Sequence, residues 1–228
     1  MTPQASSPSA GLLFDLDGTL ATTEHLHRAA FNALLGDDDA LDAASFAQRV
    51  KGRSSIDTIG ALFPAADGEE RERLIERKER MFRTLAAQHG LVPTPGVRSL
   101  LDWIRARGIA TALVTNAPAA NAEVVLEILG IAHAFDVIVS AHDLARGKPH
   151  PEPYLAGLAA LALDATRALA VEDSLVGIAS ARAADLDVIA VTGATSEAGV
   201  TAGAAIAVSD MSDPRLLDFI AARFGLAR

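Results

Sequence analysis

From residue 109 onward, short apolar runs alternate with stretches of helical periodicity, and no other feature of the chain restricts its fold so tightly. This is the rhythm of parallel strands joined by crossover helices. The runs predict strands over residues 109–115, 135–140, 168–172, 187–191 and 205–208. The stretches between and around them predict helices over 97–107, 119–129, 151–162, 174–185 and 213–224. Half of the 228 residues are hydrophobic while aromatics make up only 4%, so Ala, Leu, Val and Ile must fill the core. The fold class expected is α/β, a Rossmann-like parallel sheet.

A further apolar run, Gly-Leu-Leu-Phe-Asp-Leu at 11–16, stands apart from the others. Between it and the later strands, residues 22–90 are helical in pattern throughout. An insertion explains this most simply: residues 11–21 and 91–228 form the α/β core, and 22–90 form a helical subdomain spliced in after the first strand. Residues 91–96, Leu-Val-Pro-Thr-Pro-Gly, read as the return linker. Within the insert the charge run at 69–83 mixes both signs at helical spacing and reads as a solvated helix face.

Twenty basic against 29 acidic residues give a net charge of −9, with no basic patch, so nucleic acid is not an expected partner. The absence of cysteine excludes disulfides, thiolate metal sites and a cysteine nucleophile. Residues 1–10 are rich in Ser and Pro without a basic start, and read as a disordered leader rather than a secretory signal. No run approaches the ~18 apolar residues of a spanning helix. The expectation is a cytoplasmic protein off the membrane, a monomer or weak homo-oligomer.

In an open parallel sheet, ligands bind beyond the carboxyl ends of the strands, and four such ends carry polar chemistry. After the first strand comes Asp15-Leu16-Asp17-Gly18-Thr19-Leu20. Strand alternation sends both carboxylates to one side and Leu16 to the other, and Asp-Gly makes the turn. Thr115-Asn116 offers a hydroxyl, an amide and backbone N–H groups ahead of a helix, a small anion-binding set. Lys148 sits between Gly147 and Pro149 in a stiff loop. Glu172-Asp173-Ser174 ends another strand. Carboxylates converging at one sheet edge repel unless a divalent cation or a proton lies among them, and Mg2+ suits oxygen ligands. Glu172 and Asp173 also suit the N-terminus of the next helix, with Ser174 as its cap.

These four segments, in this order, resemble the motifs of the haloacid dehalogenase-like superfamily, and the likeness runs from Gly11 onward. The stretch from Gly147 to Leu155 and the segment Glu172-Asp173-Ser174 are most similar to the branch of β-phosphoglucomutase and the sugar-phosphate and phosphoglycolate phosphatases. The helical insert resembles that branch's cap domain. The resemblance implies Asp15 as nucleophile forming an aspartyl-phosphate and Asp17 as acid and then base. Thr115 and Asn116 would hold the phosphoryl oxygens, and Lys148 would balance charge. It implies Mg2+ held by Asp15, Asp17 (through its backbone carbonyl) and Asp173, with Glu172 as a further ligand or an orienting group. Lys51, Gly52 and Arg53 resemble the cap segment that reaches over the substrate, although a plain surface loop fits them too.

A small phosphorylated metabolite is therefore the expected substrate and hydrolysis the expected reaction. A phosphosugar mutase is the alternative, disfavoured because Ser55 stands where the mutase carries an arginine, although Arg53 is near enough in sequence to substitute. A non-catalytic phosphate-binding module is the remaining one. The carboxylate of Asp17 argues against dehalogenation, in which no alkoxide needs a proton. The surroundings of Lys51 do not resemble those of the phosphonate hydrolases. The six histidines show no metal spacing and read as structural or surface residues.

Overall fold

The protein is described here by a computed structural model covering residues 8–193 and 199–226. Its sheet holds six parallel strands: β1 (Gly11–Phe14), β2 (Ala110–Thr115), β3 (Val137–Ser140), β4 (Ala168–Glu172), β5 (Asp187–Val191) and β6 (Ile206–Val208), in the order β3-β2-β1-β4-β5-β6. The order reverses between β1 and β4, which pair from Gly11 with Ala168 to Phe14 with Val171. The Rossmann-like α/β class expected from the sequence is the fold observed. All four residues of β1 are buried. Leu12 and Phe14 enter one core layer and Leu13 the other, as period-two alternation requires of a strand covered on both faces.

Helices α5 (Val97–Ala106), α6 (Ala119–Leu129) and α9 (Pro214–Phe224) pack on the Phe14 face. Helices α7 (Glu152–Leu161) and α8 (Leu175–Ala183) cover the other. Between β1 and α5 lie α1 (Glu24–Leu35), α2 (Ala43–Arg49), α3 (Ser55–Leu62) and α4 (Gly68–His89). Asp42, Ser54 and Asp67 cap the last three through side-chain oxygens. This helical segment has its own small core of Phe31, Leu41, Phe46, Val50 and Ile59. Leu26 and Ala30 of α1 and Phe82 and Ala86 of α4 join the layer on the sheet.

Three local readings differ from observation. The ladder of β1 stops at Phe14 rather than 16, because Leu16 to Ala21 hydrogen-bond among themselves: Gly18 N–H donates to the Ala21 carbonyl and Leu20 N–H to that of Leu16. Of the leader, residues 1–7 lie outside the described residues. Ala10, however, is buried and its carbonyl accepts from Ala110 N–H. The charged run at 69–83 is not wholly a solvated face, since Lys78, Glu79 and Phe82 are buried. Among the described residues no helix is long and apolar enough to cross a membrane.

Gly96, at the head of α5, ties the helical segment's return to the sheet. Its φ is +82°, and a Cβ there would lie 2.3 Å from the backbone of Met211 and Ser212. Gly96→Ala combines a left-handed backbone with a clash against main chain that cannot rotate away. It should lower unfolding free energy by roughly 2–4 kcal/mol in urea titrations, with the slope unchanged.

Candidate active site

The site forms at the carboxyl ends of β1, β2 and β4, around the reversal of strand order. Asp15 follows β1, and its N–H still donates to the Val171 carbonyl, 2.9 Å away, so the residue inherits the rigidity of the sheet. Lys148, brought by the loop before α7, places its ammonium 2.7 Å from Asp15 Oδ1, 2.6 Å from Glu172 Oε1 and 2.8 Å from the Val114 carbonyl oxygen. Its three N–H groups each meet an acceptor. Burial opposes charge on Lys148, but Asp15 and Glu172 outweigh it, and its pKa is pushed up to about 12. Burial above all, and then the Glu172 charge, raise the Asp15 carboxyl well above its ordinary range despite Lys148.

Glu172 is fully buried and saturated. Besides Lys148 it accepts from Tyr154 Oη at 2.8 Å, from Asp173 N–H at 3.2 Å and from Ser174 Oγ at 3.3 Å. Ser174 in turn caps α8 by accepting from Gly177 N–H. Asp173 turns its carboxylate toward the Lys51 ammonium, 3.2 Å away. Burial pushes the Asp173 carboxyl up to about 7; Lys51 pulls it down and Glu172 adds to the rise.

Oxygens of Asp15, Glu172 and Asp173 lie within 4.8 Å of one another. Such hard, buried donors fit a magnesium-like cation that keeps part of its water shell. Gly18 makes the room: its φ is +89°, and a Cβ there would stand 2.2 Å from Asp173 Oδ2. Glu172 is engaged by Lys148 and Tyr154 on one oxygen and by Asp173 N–H and Ser174 Oγ on the other, whereas Asp15 and Asp173 each face a single ammonium. The Asp17 carboxylate is outside this group. It accepts from Thr23 Oγ1 at 2.6 Å and contacts His27 Nε2 at 3.1 Å. Burial favours its neutral form, yet His27 and Thr23 prevail and hold the carboxyl below its ordinary value.

Asp15, Asp17, Thr115, Asn116, Lys148 and Asp173 line one cavity of about 110 Å³, closed over by Lys51, Gly52 and Arg53 from the helical segment. Thr115 Oγ1 accepts from Ala117 N–H, which leaves its own O–H to donate. The Asn116 side chain is engaged otherwise than expected. Its Oδ1 takes Lys148 N–H at 2.9 Å, and its Nδ2 donates to the carbonyls of Lys148 and Gly52. It clamps two loops instead of pointing an amide at a ligand. Arg53 lines the cavity from an exposed position.

Sequence reasoning missed the contacts that lie behind Asp17. His27, read as structural or surface, meets Asp17. Lys78 Nζ approaches His27 Nδ1 at 3.0 Å, and Glu79 lies beside Lys78 at 3.1 Å. The signal available was the apolar face of α4, on which Phe82 and Ala86 follow Lys78 and Glu79 at helical spacing.

The chain belongs to the haloacid dehalogenase-like hydrolases, whose family pattern matches residues 12–191. It is 29% identical over 203 residues to the validoxylamine A 7′-phosphate phosphatase of Streptomyces hygroscopicus subsp. limoneus, covering 89% of this chain and 94% of that one. It is 33% identical over 208 residues to the phosphoglycolate phosphatase of Rhodospirillum rubrum, with 87% and 86% covered. The crystal structure of CbbY from Rhodobacter sphaeroides in complex with phosphate is similar at a TM-score of 0.82 and 30% identity, covering 90% and 95%. Members of this family generally use Mg2+.

A carboxyl raised from 3.8 to about 7 stabilises the metal-free fold fully below its unfolded value and loses that contribution as pH climbs through 7. A divalent cation competes with the proton for the same oxygens. Thermal scans with and without MgCl2 should therefore show a larger rise in Tm at about pH 8 than at about pH 5.5. Gly18→Ala, which crowds Asp173, should diminish the rise at the higher pH.

Proposed function

We propose that the chain is a phosphoric monoester hydrolase, a divalent-cation-dependent phosphatase of small phosphomonoesters of the sugar-phosphate or phosphoglycolate type. The observation that carries this reading is the placement of two carboxylates on one cavity, each held by different partners. Asp15 is backed by the Lys148 ammonium at 2.7 Å, and Asp17 is tied to Thr23 and His27. The names of the similar phosphatases support the class of substrate.

In the first step an Asp15 carboxylate oxygen attacks phosphorus, the P–O bond to the substrate alcohol breaks, and an aspartyl-phosphate forms. The departing oxygen takes a proton from the Asp17 carboxyl. That proton enters with a monoester bound as its monoanion, since His27 and Thr23 otherwise keep Asp17 ionised. In the second step Asp17 removes a proton from water, the water oxygen attacks phosphorus, and the bond to Asp15 breaks to release phosphate. Thr115 O–H donates to a phosphoryl oxygen, and Lys148 offsets the charge gathering around Asp15. Asp15 and Asp173, with the backbone carbonyl of Asp17, would hold Mg2+, whose charge would favour the ionised form of Asp15 and neutralise the phosphoryl oxygens.

The helical segment acts as a cap that limits the cavity to small substrates and excludes bulk water. Lys51 and Arg53 contribute cationic groups at its closing edge. The cavity-lining Ser55 donates to Glu79 Oε1 at 2.5 Å, so it is committed to the wall, and hydrolysis is favoured over a mutase that must grip a second phosphate.

The test is phosphate release from a panel of sugar phosphates, phosphoglycolate and p-nitrophenyl phosphate with Mg2+, together with a coupled assay for sugar-phosphate isomerisation. The wild type should release phosphate, and Asp15→Asn should abolish release. Asp17→Asn should lower kcat on alkyl esters by about 10²–10⁴. Acid quench and mass spectrometry should find one phosphoryl group on the peptide holding Asp15. A metal-replete wild type releasing no phosphate from the whole panel would overturn the reading.

A further inference from the structure

Asn121 is fully buried on α6, a helix of the sheet layer, yet its amide serves the helical segment. Its Nδ2 donates to Glu79 Oε2 at 2.5 Å, and its Oδ1 accepts from Arg83 Nη1 at 2.7 Å. Glu79 and Arg83 are one turn apart on α4 and share a face. A side-chain amide carries a donor and an acceptor side by side, and here each meets its complement. The orientation of the amide is thereby fixed, and α4 is fixed in register against α6.

Glu79 passes this constraint on. It also accepts from Ser55 Oγ at 2.5 Å and from Lys78 Nζ at 3.1 and 3.2 Å. Lys78 has only three N–H groups, which serve Glu79, Ser55 Oγ at 3.2 Å and His27 Nδ1 at 3.0 Å. An ammonium pointing at Nδ1 requires a lone pair there, which assigns the imidazole proton to Nε2, the nitrogen 3.1 Å from Asp17 Oδ1. His27 is kept in plane by stacking on Phe82 at 4.0 Å between centroids.

We propose that Asn121 is a positioning residue: by docking Glu79 it keeps Lys78 on His27, and so sets the imidazole tautomer and the Asp17 carboxylate for proton transfer to the leaving alcohol. The inference rests on the reading of Asp17 as acid and base. Without the Asn121 donor, Glu79 Oε2 keeps only the Lys78 N–H at 3.1 Å in a buried setting, and the unmet acceptor pulls that ammonium further onto itself. Drawn toward Glu79, Lys78 leaves Nδ1, the imidazole proton is free to move there, and an Nε2 lone pair then faces the Asp17 carboxylate.

The test separates a positioning role from a merely structural one through the leaving group. An alkyl alkoxide needs a proton, whereas p-nitrophenolate leaves without one. Asn121→Ala should lower kcat about 10- to 100-fold on the alkyl phosphate that the wild type hydrolyses fastest, and less than about threefold on p-nitrophenyl phosphate, with KM little changed on either. Asn121→Asp removes the donor and should show the same selective loss. Adding Glu79→Gln to it exchanges donor and acceptor across the pair and should restore at least a third of the lost alkyl turnover, a comparison that stands even if the alanine variant folds poorly. Equal losses on both substrates, or no loss on either, would overturn the inference and leave the phosphatase reading intact. A wild type inactive on the whole panel would overturn both.

Discussion

A single buried ammonium holds the polar heart of this molecule together. Lys148 sits between Asp15 and Glu172, which end different strands and are both withdrawn from water. Removing one partner of such a set typically costs about 3–5 kcal/mol, because a charge is stranded in a poor solvent. The third N–H of Lys148 ends on the carbonyl of Val114, so the ends of β1, β2 and β4 are all bound through one nitrogen. Tyr154 and the N-terminus of α8 supply the remaining donors to Glu172.

Around this centre the two halves of the chain take different chemical roles. The sheet fixes oxygens: Asp15, Glu172 and Asp173 are held within a few ångströms by parallel ladders that fix their register. The helical segment brings nitrogen to the same cavity, in His27, Lys51 and Lys78. Asp17 stands at the boundary, its backbone in the turn beyond β1 and its carboxylate handed to Thr23 and His27. Two carboxylates two residues apart are thus given different partners, Asp15 the Lys148 ammonium and Asp17 the Thr23 hydroxyl and the His27 ring, which separates their surroundings although they belong to one turn of chain.

How much of this was legible beforehand depended on how local the physics was. The strands at 168–172 and 187–191 and the helix at 119–129 could be read to the residue, because a covered parallel strand is apolar on both faces and turn residues bound it. Asp15, Asp17, Lys148 and Asp173 were legible as candidates because strand ends in such a sheet converge. The use of Asn116 as a clamp was not, since an amide after a strand fits a ligand or a loop equally well. Nor was the Asn121–Glu79–Lys78–His27 chain. Its members lie on three helices, and only the packing of α4 against α1 and α6 reveals that a charged pair in a charge-rich helix faces inward.

The Asn116 amide joins two loops that border the cavity. Its Oδ1 and Nδ2 both hold the backbone of Lys148, and only a second, shared use of Nδ2 reaches across to the Gly52 carbonyl. The two attachments are therefore unequal in what they cost to undo. Were the loop bearing Gly52 to lift, one of the two Nδ2 N–H groups would lose its acceptor, and the amide would remain seated on the Lys148 peptide. The two attachments share a nitrogen but not a hydrogen, so the Gly52 contact is separable from the Lys148 contacts.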